Sequence, residues 1–227
     1  MSAVYYRGES SIYSHFHECK FTINQIDYIN AEQAYQKTKA LCSGDFDSAV
    51  SIQLEVSGRK IKSLSRNIVP QVSGFHYKWD LVKELCMLRI DYEKFSQNES
   101  LKAALLATYP RPLREDLPDR IWGFAKGSGL NLAGQILERV RRAFRTPHLS
   151  SLPSCLAVGD SLLSGLDGKV PNALILGISG ATRNFVCNFV SMAAGPYVST
   201  CLILVGTNDL VSKEGWSLLL SVLPPNS

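Results

Sequence analysis

"NAEQAYQKTKA", residues 30–40, decides how the first two thirds of the chain are read. As a helix over 31–41 it puts Glu32, Gln36 and Lys39 at i, i+4 and i+7, on one stripe at roughly 100° per residue. A stripe made of an acid, an amide and an amine ordinarily faces water. Here it follows at once on Phe21, Ile23, Ile26 and Tyr28, an apolar run that alternates like a core strand. What the polar stripe faces is therefore the question the sequence poses.

Around this stretch the first part reads as strands near 3–6 and 19–28, then helices over 31–41, 46–55, 79–95, 98–107 and 131–145. The composition changes at Thr146–Ser154, which holds two prolines and three serines and reads as a linker. The expectation is a domain over 1–146, a linker over 147–153 and a second segment over 154–227. In that segment "SCLAVGDSL", "ALILGISG" and "STCLILVGTNDL" each look like a buried strand ending in a polar turn, the rhythm of a parallel α/β sheet.

The chain has 227 residues, 45% of them apolar, enough for one large domain or two small ones. No apolar run reaches the ~18 residues of a membrane span, and the start lacks the pattern of a signal peptide. The six cysteines form no CxxC pair and read as reduced thiols of a cytoplasmic or nuclear protein. The net charge is +4; residues 149–227 hold three cations against four acids, so the first 148 residues carry +5. That surplus suits a phosphate-bearing ligand, and ordinary solvated lysines account for it equally well.

Four segments carry polar or aromatic residues that a core pattern does not demand: "IYSHF" (12–16), the Glu32/Gln36/Lys39 stripe, "YKWDLVK" (77–83) and "LREDLPDRIWGFAKGSGLN" (113–131). A ligand with a nucleobase and a sugar phosphate calls for this inventory. Trp79 and Trp122 offer planes for stacking, carboxylates bind ribose hydroxyls or handle protons, and a glycine-rich turn (Gly123, Gly127, Gly129) before a helix can hold an anion. Arg59 and Lys62 of the basic patch "GRKIK" are candidate phosphate contacts. Each has a plainer reading, as core anchors, solvated face, flexible turn or surface patch, and composition leaves the choice open.

The blocks "YSHF…KFTINQIDYINAEQAYQKTKA", "W…VK…M…KF.QN..LKAALLAT" and "L.E…D.IWG……GLNLAGQILE..R" resemble, in order, the pattern of the NADAR (YbiA-like) family over about residues 5–145. The resemblance implies an α+β, mainly helical domain. It also implies an N-glycosidase that cleaves a ribose C1–N bond in ADP-ribosylated guanine of nucleic acid or in a ribosylated pyrimidine intermediate of riboflavin synthesis. Carried onto this chain it implicates Glu32 and Lys39 with Trp79, Glu115, Asp119, Trp122 and Asn131. Glu32, Lys39 and Asp119 form the expected catalytic set. His15, Gln36, Trp79, Glu115, Trp122, Gly123 and Asn131 are expected to bind substrate. His15 departs from the family, which usually has Asn in that block. No cofactor, metal or obligate protein partner is implied; the partner is the ribosylated nucleotide or ADP-ribosylated nucleic acid itself.

Breaking an N-glycoside builds positive charge at C1, which a carboxylate beside the ribose stabilises. Glu32 is the leading candidate. Lys39 is either electrostatic or a Schiff-base former on an opened ribose, a role that needs a desolvated amine. The rival class is a binding module that keeps an ADP-ribose or nucleotide pocket without catalysis.

"VGDSLLSG" (158–165), "GISGAT" (177–182) and "VGTNDL" (205–210) resemble the first three blocks of the SGNH/GDSL hydrolases, implying Ser161 as nucleophile with Gly180 and Asn208 as oxyanion donors. That family's final Asp and His are missing, and every histidine precedes Ser161. The expectation is an incomplete α/β hydrolase-like segment with no esterase activity.

Overall fold

The computed structural model describes residues 2–146, 152–159, 163 and 173–204. Ser161, Asn208 and most of the expected linker lie outside the described residues. The elements run β1 (Val4–Tyr6), β2 (Phe21–Ile23), β3 (Ile26–Tyr28), α1 (Ala31–Ser43), α2 (Phe46–Leu54), α3 (Gly58–Leu64), α4 (Phe75–Ser96), α5 (Glu99–Ala107), β4 (Leu113–Glu115), α6 (Leu132–Arg145), β5 (Cys155–Gly159), β6 (Ala173–Gly177), α7 (Arg183–Ala193) and β7 (Thr200–Leu204).

The run read as one strand over 19–28 is a hairpin. β2 and β3 pair antiparallel, Phe21 opposite Tyr28 and Ile23 opposite Ile26. Asn24 and Gln25 between them both have positive φ, 50° and 64°, the two-residue turn whose twist matches paired strands. The apolar residues change from odd to even positions at this point, which is the trace the turn leaves in the sequence.

Within residues 1–146, α3 and β4 have no counterpart among the elements the sequence predicts. The basic patch "GRKIK" lies within α3, and Leu113–Glu115 forms β4, which pairs in parallel with β1. In that register Tyr6 stands opposite Glu115, and both are buried.

α1 begins where its sequence caps it. Asn30 Oδ1 accepts the Gln33 N–H at 2.9 Å, and Gln33 Oε1 accepts the Ile29 N–H at 3.0 Å, a variant of the reciprocal capping box. Glu32 thus falls in the first turn, where the helix dipole favours a negative charge.

The chain groups into two compact units. The first comprises Met1–Tyr35, Glu55–Lys62 and Met87–Ser151; the second comprises Gln36–Leu54, Ser63–Cys86 and Leu152–Ser227. The core of the first includes Phe21, Ile61, Leu88, Phe95, Leu113, Ile136 and Val140. In the second, three strands form a parallel sheet in the order β6-β5-β7, as the buried runs imply. α7 connects β6 to β7, with Thr182 Oγ1 accepting the Phe185 N–H at its start. The parallel pairing requires such a crossover.

Among the described residues no helix is long and apolar enough to cross a membrane. The six cysteines are free thiols, with Cys42, Cys86 and Cys187 buried.

Candidate functional site

The polar stripe of α1 does not face water along its length: Glu32 is 4% exposed and Gln36 2%, while Lys39 is half-buried. Glu32 Oε1 meets Lys62 Nζ at 3.3 Å, and that lysine reaches in from the surface with its side chain 50% exposed. The backbone N–H of Glu32 donates to the His15 carbonyl at 3.0 Å. One hydrogen bond thus joins the "IYSHF" segment to the first turn of α1.

His15 is buried, and its Nε2–H donates to Asp91 Oδ2 at 3.2 Å. Burial works against a charged imidazole here. The Asp91 carboxylate, by charge and by hydrogen bond, together with Glu115, outweighs it and holds the His15 pKa above its ordinary value. Lys94 opposes that rise. Its ammonium is fully buried, donates to the Ser14 carbonyl at 2.8 Å and is pushed to lower pKa by burial against the pull of Asp91.

Glu115 completes the cluster. Burial pushes its carboxyl above the usual range; His15 pulls it back, and Glu32, Asp91 and Asp119 push it further up. Its position is set by Asn131, which stands at φ 56° just before α6. The Asn131 Nδ2–H donates to the Leu113 carbonyl at 2.8 Å, and its Oδ1 accepts the Glu115 N–H at 3.1 Å. Asn131 therefore serves as an extra rung on β4.

The aromatic wall is made by Trp122, with Tyr35 edge-on at 5.4 Å and His15 edge-on at 6.2 Å between ring centroids. Asp119 holds the turn that presents this ring: its Oδ1 accepts the N–H groups of Ile121 and Trp122, both at 2.8 Å. Gly123 is required at the close of that turn, because a Cβ there would lie 2.0 Å from the Leu117 carbonyl oxygen. Phe124 N–H then donates to the Glu115 carbonyl at 2.6 Å, tying the turn to β4.

His15, Glu32, Lys62, Glu115, Asp119, Trp122, Gly123 and Asn131 all belong to the first unit. Arg59, also there, is exposed and lies 3.6 Å from Glu9. Gln36, Lys39, Trp79 and Gly180 belong to the second unit. Trp79 is buried and stacks on Phe75 at 6.2 Å. The Gly180 carbonyl accepts from Lys78 Nζ at 2.7 Å. Asp91, Lys94 and Tyr6 were not singled out in the sequence. The signal for Asp91 existed: it lies three residues after Leu88 and four before Phe95, so a carboxylate occupies the apolar stripe of a buried helix.

The family model of the NADAR domain matches residues 4–145. The chain belongs to the NADAR family. It is 32% identical over 134 residues to protein irg-1 of Caenorhabditis elegans, covering 53% of this chain and 63% of that protein. The chain thus spans less than two thirds of this relative's length. The NMR structure of the E. coli protein YbiA is similar at a TM-score of 0.57 and 25% identity, over 65% of this chain and 88% of the other. The NADAR match includes β1 through α6, and with them every residue of the buried charge cluster. It ends before β5, so the resemblance of the last segment to SGNH hydrolases gains no support from it.

Proposed function

We propose that this NADAR domain hydrolyses the C1–N bond between a ribose and a base or amine nitrogen. The observation that carries the reading is the pairing of two buried carboxylates in unlike surroundings, Glu32 against the Lys62 ammonium and Glu115 with its pKa raised. Two buried acids in such different surroundings suit a division of labour between charge stabilisation and proton donation.

Glu32 stands as the carboxylate that stabilises positive charge growing at C1. Glu115 retains its proton further up the pH scale and gives it to the departing nitrogen, while water adds its hydroxyl to C1 and returns a proton to the protein. Trp122, supported by Tyr35, supplies the plane for the base. The substrates this reading favours are ADP-ribosylated guanine in nucleic acid and the ribosylated pyrimidines of riboflavin synthesis. For Lys39 the proposal keeps a covalent Schiff-base step open, which borohydride trapping on turnover tests directly. For the last segment it assigns no esterase activity, and p-nitrophenyl acetate turnover removed by Ser161→Ala would contradict that.

The main test incubates the protein with each substrate and measures released base by mass spectrometry. Glu32→Gln is expected to lower the rate by about 10²–10³, the usual loss for one electrostatic stabiliser. Wild-type turnover in that variant would remove Glu32 from the mechanism.

A further inference from the structure

Beside the Asp119 turn the first unit has a cleft of ≈ 550 Å³ that the mechanism above does not use. This volume falls in the range of about 300–1,000 Å³ common for small-molecule sites. Arg7, from the segment after β1, and Arg120 and Lys126, from the loop after β4, line it together with Asp116, Asp119 and Ser128.

The charges in this cleft are unsatisfied in an informative way. Arg59 and Lys62 of α3 each lie against a carboxylate. By contrast, among the described residues Arg7, Arg120 and Lys126 have no ion pair, although Asp116 lines the same cleft. Three cations against two carboxylates leave the lining with a positive surplus of one and with no cation held in an ion pair, so an entering anion finds favourable charge. The two carboxylates argue against a bare polyanion track, whose lining would be uniformly positive. A ligand that carries both an anionic group and hydroxyls matches the mixed lining: guanidinium and ammonium groups take phosphate oxygens, and a carboxylate accepts from hydroxyls. Asp119 Oδ1 is engaged by the Ile121 and Trp122 N–H groups, whereas no hydrogen bond or ion pair ties the Asp116 carboxylate among the described residues, so Asp116 is the freer hydroxyl acceptor.

We propose that this cleft is a subsite for a ribose 5-phosphate group, with Arg7, Arg120 and Lys126 on the phosphate and Asp116 on a sugar hydroxyl. The proposal rests on the glycosidase reading for the statement that this ribose is the one undergoing cleavage. A ribose 5-phosphate end is common to ADP-ribose and to a phosphorylated ribosylamine, so two probes separate the sources.

The experiment is calorimetric titration of the whole chain with ribose 5-phosphate and with ADP-ribose, for the wild type, the three single alanine variants and the triple variant. Lys20→Ala, an exposed cation outside the cleft, is the control. Each single variant should weaken binding by about two- to fivefold, as for one exposed charge pair, and the triple variant by about tenfold or more. Binding should weaken with added salt, and the melting temperature of the triple variant should stay at the wild-type value. Asp116→Asn should weaken both sugar phosphates and leave inorganic phosphate unchanged. A clear preference for ADP-ribose assigns the diphosphate as the source, and equal affinities assign the monoester. The proposal is overturned if the triple variant binds both probes like the wild type, or if the wild type binds neither. Failure of the glycosidase reading looks different: the cleft variants would still lose affinity while no base is released from any ribosylated substrate.

Discussion

Replacing Asn131 tests whether Glu115 is placed by a side chain rather than by the sheet. The Asn131 amide makes two hydrogen bonds to β4, donating to the Leu113 carbonyl and accepting the Glu115 N–H, and Leu113 and Glu115 are themselves buried. Asn131→Ala strands both backbone groups, at about 1–3 kcal/mol for each that finds no water. It also leaves an alanine at φ 56°, a left-handed conformation that costs about 1–2 kcal/mol without a compensating side chain. The expected total is about 3–8 kcal/mol, toward the lower end where water reaches one of the groups, a large share of the ~5–15 kcal/mol that holds a domain folded. Asn131→Gly removes the same two bonds without the strain, so it should be milder by about 1 kcal/mol. Asn131→Asp retains the acceptor for Glu115 but sets a carboxylate oxygen against the Leu113 carbonyl, and should fall near the alanine variant. Urea denaturation at neutral pH measures all three. A loss below about 1 kcal/mol in Asn131→Ala, or a glycine variant no milder than the alanine one, would refute the rung.

Four shorter expectations follow from the same geometry. If Glu115 donates the proton, kcat/KM falls as pH rises through its raised pKa, and Glu115→Gln should leave a low rate without that limb in a pH-rate series. His15 has its folded pKa raised, so it contributes stability that is fully present below the unfolded value of about 6.5 and lost as pH rises through the folded one. The melting temperature should therefore decline above pH ~6.5, and His15→Asn should flatten the decline; an unchanged slope would exclude His15 as its source. Trp79→Ala should cost about 3–5 kcal/mol in stability, as for a buried aromatic. Trp122→Ala should instead weaken ligand binding by about 1–3 kcal/mol, and equal effects on melting in both would defeat the distinction. Gly123→Ala places a methyl 2.0 Å from the Leu117 carbonyl oxygen and should destabilise by about 3 kcal/mol or more, read by thermal melting.

The helices were legible because their apolar periodicity is long and their ends are marked. α1 starts just after its cap Asn30, and α6 starts where the Gly-rich turn ends; both follow from local chemistry. The errors came from short elements. β2 and β3 are three residues each, too short for alternation to reveal the turn between them, and Asn-Gln is a weak signal beside Asn-Gly. β4 is also three residues, and its partner β1 lies more than 100 residues away, a pairing no local pattern contains. α3 was hidden because its single buried residue is Ile61, so its charge outweighed its periodicity.

The site divides along the same line. Glu32, Trp122 and Asp119 occur in stretches whose local pattern already demanded an explanation. Asp91 leaves one trace, a carboxylate in the apolar stripe of α4, whereas Lys94 and Tyr6 leave none, because their significance comes only from being buried near one another. Taking such groups out of water costs free energy that pairing seldom returns in full, and a core of the same volume built from apolar residues is often equally stable. A cluster kept for structure alone would be expected to close on itself, every oxygen with a partner. Among the described residues, Asp91 Oδ1 and the Tyr6 hydroxyl are instead buried without a hydrogen-bond partner, and Tyr6 has its pKa driven well up by burial and by the nearby Glu115 and Asp91. Open polar valences beside two acids in unlike environments leave places for water or ligand atoms. That arrangement is a poor way to stabilise a fold, and it suits a site in which a proton is held on Glu115.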